Sequence, residues 1–123
     1  MDSQSADSAA ISRVIEDYVE GMVFADESRL RQAFHPACRI VGHFHGSLEW
    51  MTLDEFIGEI KAEDPPASDT RPFWEIRELD VTGDCATAKV VDDFLGLRFT
   101  DYLSLLKIDR QWRVINKLFY LHV

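Results

Sequence analysis

Residues 97–122 read LRFTDYLSLLKIDRQWRVINKLFYLH. Two runs, residues 97–108 and 111–122, are rich in β-branched and aromatic residues and mix apolar with polar positions near the two-residue period of a strand. The pair Asp109-Arg110 separates them, so the stretch predicts a long β-hairpin. Upstream the same pattern repeats. Residues 72–82 and 85–95 read as two further strands, with Gly83-Asp84 and Leu95-Gly96 where a two-residue loop puts a residue at positive φ. The Asp109-Arg110 turn has no glycine. Four long antiparallel strands with no crossover helix predict an α+β fold rather than α/β.

Ahead of the strands the period changes. Ile11, Val14, Ile15, Tyr18, Val19, Met22 and Val23 recur at three and four residues and mark one stripe of a helix over about residues 8–25. Asp26 is placed to N-cap a second, short helix that presents Leu30, Ala33 and Phe34 and stops at Pro36. Residues 38–51 suggest a short hairpin around His45-Gly46-Ser47. Thr52-Leu53-Asp54-Glu55 then has the spacing of a capping box, opening a third helix with Phe56, Ile57 and Ile60 inward. Together these elements predict three helices packed on a strongly curved, mixed or antiparallel sheet that forms a cone with an internal pocket.

A chain of 123 residues buries about two-thirds of its extended surface on folding, enough for one core. One domain over 1–123 is expected, with 1–7 a flexible tail. With 46% hydrophobic and 28% charged residues the composition is that of a globule. A net charge of -9 repels phosphate backbones and anionic lipid headgroups, so nucleic acid and membrane are not expected partners. Cys38 and Cys85 lack CxxC spacing and read as two buried thiols of a reducing compartment. Residues 1–8 carry no basic stretch or apolar run of a secretory signal, and no run reaches the roughly 18 apolar residues of a span. A cytoplasmic location is the expectation.

The order of elements, with Phe99-Thr100-Asp101-Tyr102-Leu103-Ser104-Leu105-Leu106-Lys107 and Trp112-Arg113-Val114-Ile115-Asn116-Lys117, resembles the nuclear transport factor 2-like superfamily, a cystatin-like α+β cone. Phe34-His35-Pro36 and residues 42–48 narrow the resemblance to its putative lumazine-binding, SnoaL-like branch, over roughly residues 11–120. The Asp-Gly-x-Trp turn usual in that branch is Asp109-Arg110-Gln111-Trp112 here. The superfamily holds isomerases, dehydratases, cyclases, epoxide hydrolases and non-catalytic binding proteins, so the resemblance implies a fold and a pocket rather than one reaction. It also implies pairing into a homodimer through the sheet.

With two-residue loops throughout, strand parity puts Asp92, Phe99, Asp101, Asn116, Leu118 and Tyr120 on one face, and Trp74, Ile76, Lys117 and Phe119 on the other. Asp92, Asp101 and Asn116 are costly to bury among apolar neighbours unless they pair or line a wet cavity. The expectation is a small-molecule-binding protein whose apolar pocket uses these three as polar contacts and Tyr18, Trp50, Tyr120 and Phe99 as aromatic ones. In one alternative the polar groups only pair with Arg77 or backbone amides. In another, the protein is an isomerase- or dehydratase-type enzyme with Asp101 or Asp92 as general base, its pKa raised by desolvation. A third is a structural dimer with a filled interior.

His43-Phe44-His45 with Glu49 is reminiscent of a first cupin metal motif, but the second motif is absent and Gly46 puts His45 in a turn. No metal and no cofactor are expected. His35 reads as a helix-end residue. Neither Ser104 nor the cysteines have a base at recognisable spacing, and there is no glycine-rich phosphate loop.

Overall fold

The structure, a computed structural model, describes residues 3–123. In chain order the elements are α1 (Ser3–Val23), α2 (Glu27–Ala33), β1 (Phe34–Phe44), β2 (Ser47–Thr52), α3 (Leu53–Lys61), β3 (Trp74–Thr82), β4 (Cys85–Phe94), β5 (Leu97–Ile108) and β6 (Gln111–Leu121). The strands form one mixed sheet in the order β2-β1-β6-β5-β4-β3. β3 to β6 are the predicted meander, and the β1–β2 hairpin joins it by a parallel pairing of β1 with β6. The sheet does not close, since β2 and β3 each end it. The α+β expectation and the three helices hold.

Each helix forms where its sequence requires it. Ile11, Ile15, Tyr18, Val19 and Met22 of α1 are all buried, which is the predicted stripe. Asp26 caps α2 through the Arg29 amide, and Arg29 in turn binds Asp17 and Glu20 of α1 at 2.9 and 2.8 Å. Thr52 and Glu55 make the full capping box of α3, whose Phe56, Ile57 and Ile60 face inward. α1 starts at Ser3 rather than near residue 8, and Asp7, expected in a loose tail, accepts from Lys107 Nζ and Trp112 Nε1 at 3.0 and 3.1 Å. α2 stops at Ala33, and Pro36 lies inside β1 instead of ending the helix.

The three meander turns have the predicted two-residue loops, and the first hairpin turns on His45-Gly46 alone, with Ser47 already in β2. Phe44 faces Ser47, Thr82 faces Cys85, Phe94 faces Leu97 and Ile108 faces Gln111 across two-residue loops. Asp109 and Arg110 both take positive φ, 49° and 68°, so the glycine-free turn adopts the left-handed conformation that Asp-Gly enters more cheaply.

Strand parity is where the sequence reading needs correction. The β3–β4 register shifts between Ile76 and Glu78, and the β5–β6 register shifts so that Ser104 faces Asn116 while Leu105 faces Val114. Arg77 and Ile115 are therefore extra residues in β-bulges, and beyond each bulge the side chains change faces. Trp74 and Ile76 accordingly pack against the core. Lys117 and Phe119 turn inward, whereas Asn116, Leu118 and Tyr120 turn outward. Cys38 is buried as expected, but Cys85, at the start of β4, is exposed. No helix of the described residues is long and apolar enough to cross a membrane.

Candidate functional site

The inner face of the β4–β5 hairpin carries the polar centre. Asp92 is opposite Phe99 and Asp101 is opposite Val90, which makes the two aspartates diagonal neighbours on one face. Both are fully buried. Tyr18, from the middle of the α1 stripe, donates to Asp101 Oδ2 at 2.6 Å and sets its ring edge-on to Phe34. Apart from a proton that the two carboxyls could share, no donor among the described residues reaches either oxygen of Asp92 or Oδ1 of Asp101.

Burial is the largest cause pushing the Asp92 carboxyl far above the usual carboxylate range. A proton on Asp92 would be shared with Asp101; that hydrogen bond and the negative charge of Asp101 add to the effect of burial, and Lys117 pulls the other way. Burial also raises the Tyr18 phenol well above its ordinary value, with the charges of Asp101 and Asp92 next, so Tyr18 remains a proton donor.

Beside this pair lies a cavity of about 120 Å³, walled by Met22 of α1, Phe44, Met51, Phe56, Phe99 and Phe119, with Asp92 and Lys117 as polar groups and Glu49, Glu59 and Glu63 also on its lining. A wider space of about 400 Å³ adjoins it, bounded by the segment after α3 and the β4–β5 turn; the two share Met22, Ile60, Glu63, Phe94 and Leu95. Phe99 stacks near-parallel on Phe44, 6.3 Å between centroids, and meets Phe119 edge-on at 6.1 Å. Gly42 on β1 permits this wall, since a Cβ there would stand 2.5 Å from the Phe119 carbonyl oxygen and 2.8 Å from its ring.

The structure thus brings Asp92, Asp101, Tyr18 and Phe99 together. Asp92 and Phe99 line the cavity, while Asp101 and Tyr18 stand behind that lining. Asn116, Trp50 and Tyr120 are elsewhere. The bulge at Ile115 sends Asn116 and Tyr120 to the outer face, and Trp50 pairs with Val41 on the same side. Trp50 is 66% and Tyr120 57% exposed. His45 has φ 49° in the turn, so it does not share a strand face with His43, and no three His, Cys, Asp or Glu among the described residues converge as a metal site. His35 Nδ1 accepts from the Ala37 amide, in place of a contact with helix carbonyls.

Sequence reading missed Lys117. Its ammonium, on a side chain 5% exposed, sits 4.6 Å from the Tyr18 ring centroid, 4.7 Å from Phe56 and 5.6 Å from Phe119, with Met22 Sδ at 3.9 Å. A signal for the first bulge exists in the sequence: the apolar positions of β3 change from even, Trp74 and Ile76, to odd, Leu79 and Val81, across Arg77-Glu78. In β6 the mark is weaker, because Leu118 and Tyr120 are apolar on the outward side as well.

A curved mixed sheet with helices on one face and a buried polar centre defines a nuclear transport factor 2-like protein, and solved structures agree. An NTF2-like protein of unknown function from Silicibacter pomeroyi is 33% identical, covering 97% of this chain and 98% of its own, with a TM-score of 0.91. One from Shewanella baltica is 28% identical over 97% and 96%, at 0.85. Within that class the chain belongs to the family described as "Putative lumazine-binding", whose model matches residues 6–120. A curated relative, Aldolase FrzH of Cladobotryum sp, is 22% identical over 103 residues, 84% of this chain and 82% of that protein.

Proposed function

We propose that the protein binds a small, mostly apolar molecule in the cavity between α1, α3 and the inner sheet face, with Asp92 as the polar contact and the Tyr18–Asp101 pair holding Asp92 in place. One observation carries this reading: Asp92 is fully buried at the cavity wall, and beyond a proton shared with Asp101 no donor of the described residues reaches either of its oxygens. A buried carboxyl without a partner costs stability, and a ligand donor or acceptor would offset that cost. The family name is consistent with a ligand site. A second reading, an isomerase- or dehydratase-type enzyme that uses the aspartate pair to move a proton, draws on the raised pKa of Asp92, since a carboxyl held protonated near neutrality can act as acid and its partner as base.

The outer face supports a homodimer. Trp50, Val41, Leu118 and Tyr102 form one row across β2, β1, β6 and β5, and Trp50, Leu118 and Tyr102 are strongly exposed. Such a contiguous apolar patch is uncommon on a monomer. The charge balance argues against nucleic acid or an anionic membrane as partner.

The test is thermal unfolding against increasing lumazine and, separately, benzyl alcohol. A binder's midpoint climbs with the logarithm of ligand once it exceeds the dissociation constant. A midpoint unmoved by either compound overturns the binding reading and leaves the structural dimer. Asp92→Asn then separates binder from enzyme: an enzyme loses nearly all turnover while ligand stabilisation survives.

A further inference from the structure

We infer that Lys117 is an amine nucleophile that captures a small uncharged aldehyde or ketone in the cavity as a Schiff base. The inference rests on the binding reading above and assigns its ligand class.

The argument begins with what surrounds Nζ. An ammonium has three N–H donors and no acceptor. Lys117 is 5% exposed, yet its neighbours are a thioether sulfur and three aromatic rings, and it forms no ion pair among the described residues. The rings supply a negative π surface that favours a cation, but no oxygen that would lock the nitrogen in a salt bridge. Lys117 also lines the cavity, together with Asp92. A ligand oxygen would complete its surroundings.

Charge selects the kind of oxygen. Glu49, Glu59 and Glu63 share the cavity lining and the chain carries a net charge of -9, so an anionic ligand meets repulsion on entry. An uncharged carbonyl compound with an apolar body suits both the wall of Phe44, Phe99 and Phe119 and the polar end at Lys117 and Asp92.

The same geometry allows the condensation. Asp92, in its carboxylate form on the same cavity lining, takes one proton from Nζ; the free amine attacks the carbonyl carbon, forming the C–N bond, and the oxygen becomes a hydroxyl as the nitrogen gives up a second proton. The carboxyl then returns its proton to that hydroxyl, the C–O bond breaks, water leaves, and the nitrogen lone pair forms the C=N bond of a protonated imine. One ammonium and one carbonyl become one iminium and one water, with no net change in charge. The iminium keeps the positive charge where the three rings already hold one, so the product retains the contacts of the starting ammonium. An amine in a desolvated pocket with an adjacent acid–base group is the arrangement this nucleophile needs.

The test is reductive trapping. The intact protein is incubated with benzaldehyde and sodium cyanoborohydride, and the benzylated lysines are mapped by peptide mass. Lys61, Lys89 and Lys107 are internal controls. The expected result is modification at Lys117 faster than at any control by more than about tenfold, a small share of what pre-oriented capture can deliver. Lys117→Met removes this adduct; stabilisation of the wild type by benzyl alcohol, which has the same shape and cannot condense, reports on the pocket separately. Equal or slower modification of Lys117 overturns the inference. If benzyl alcohol still stabilises the protein in that case, the pocket reading stands alone; if it does not, both fall. Should Lys117→Met fail to fold, the wild-type map decides by itself.

Discussion

Asp92 shows how one side chain can trade stability for a site. In the unfolded chain an aspartate ionises near about 3.9, whereas in the folded protein burial and Asp101 hold the Asp92 proton to much higher pH. Between those two values the native state binds more protons than the unfolded state. Stability is therefore full below the unfolded value and falls as pH rises through the window. Asp92→Asn, nearly the same shape and always neutral, removes this dependence. Urea unfolding should show the variant gaining on the wild type by up to about 1.4 kcal/mol for each pH unit above about 4. Parallel pH profiles for the two proteins would show that Asp92 ionises in the fold as freely as in water. Tyr18 belongs to the same unit, because its hydroxyl donates to Asp101 at 2.6 Å.

Among the elements, β6 carries the most consequence, because it joins the N-terminal hairpin to the meander and its bulge decides which residues enter the cavity. The junction with β1 is tight at Gly42, where any Cβ would meet the carbonyl and ring of Phe119. Gly42→Ala should push β1 from β6 or swing Phe119 off its edge-on contact with Phe99, at a cost of about 1–3 kcal/mol for overpacking. Chemical denaturation measures that loss, and an unchanged midpoint would mean that the β1–β6 pair yields without strain. The helix α3, in contrast, is secured locally by its Thr52–Glu55 box, which is why its start is legible from four residues.

For the molecule as a whole, the outer row of Trp50, Leu118 and Tyr102 is the exposed surface that the proposed homodimer would cover. Introducing a charge at its centre, Leu118→Glu, should leave the fold intact, since Leu118 is 47% exposed, and shift sedimentation velocity from dimer to monomer. Wild-type sedimentation as a monomer at all concentrations would refute the pairing. A dimer formed through this face would leave the cavity on the inner side unobstructed, so ligand stabilisation should survive the substitution.

Local sequence determined the elements. Helical period, the Thr52 box, the Asp26 cap and the two-residue loops each act over a few residues, so the end of α1, the start of α3 and the long strands could be read within a residue or two, whereas α1 starts earlier and α3, expected to run to near Asp64, ends at Lys61. The burial of Asp92 and Asp101 followed from parity across β4 and β5, which carry no bulge between those positions. What only the tertiary structure decided is the far side of each bulge. An extra residue at Arg77 or Ile115 costs little in the chain but reverses every later side chain in its strand. That reversal moved Asn116 and Tyr120 out of the cavity and brought Lys117 in.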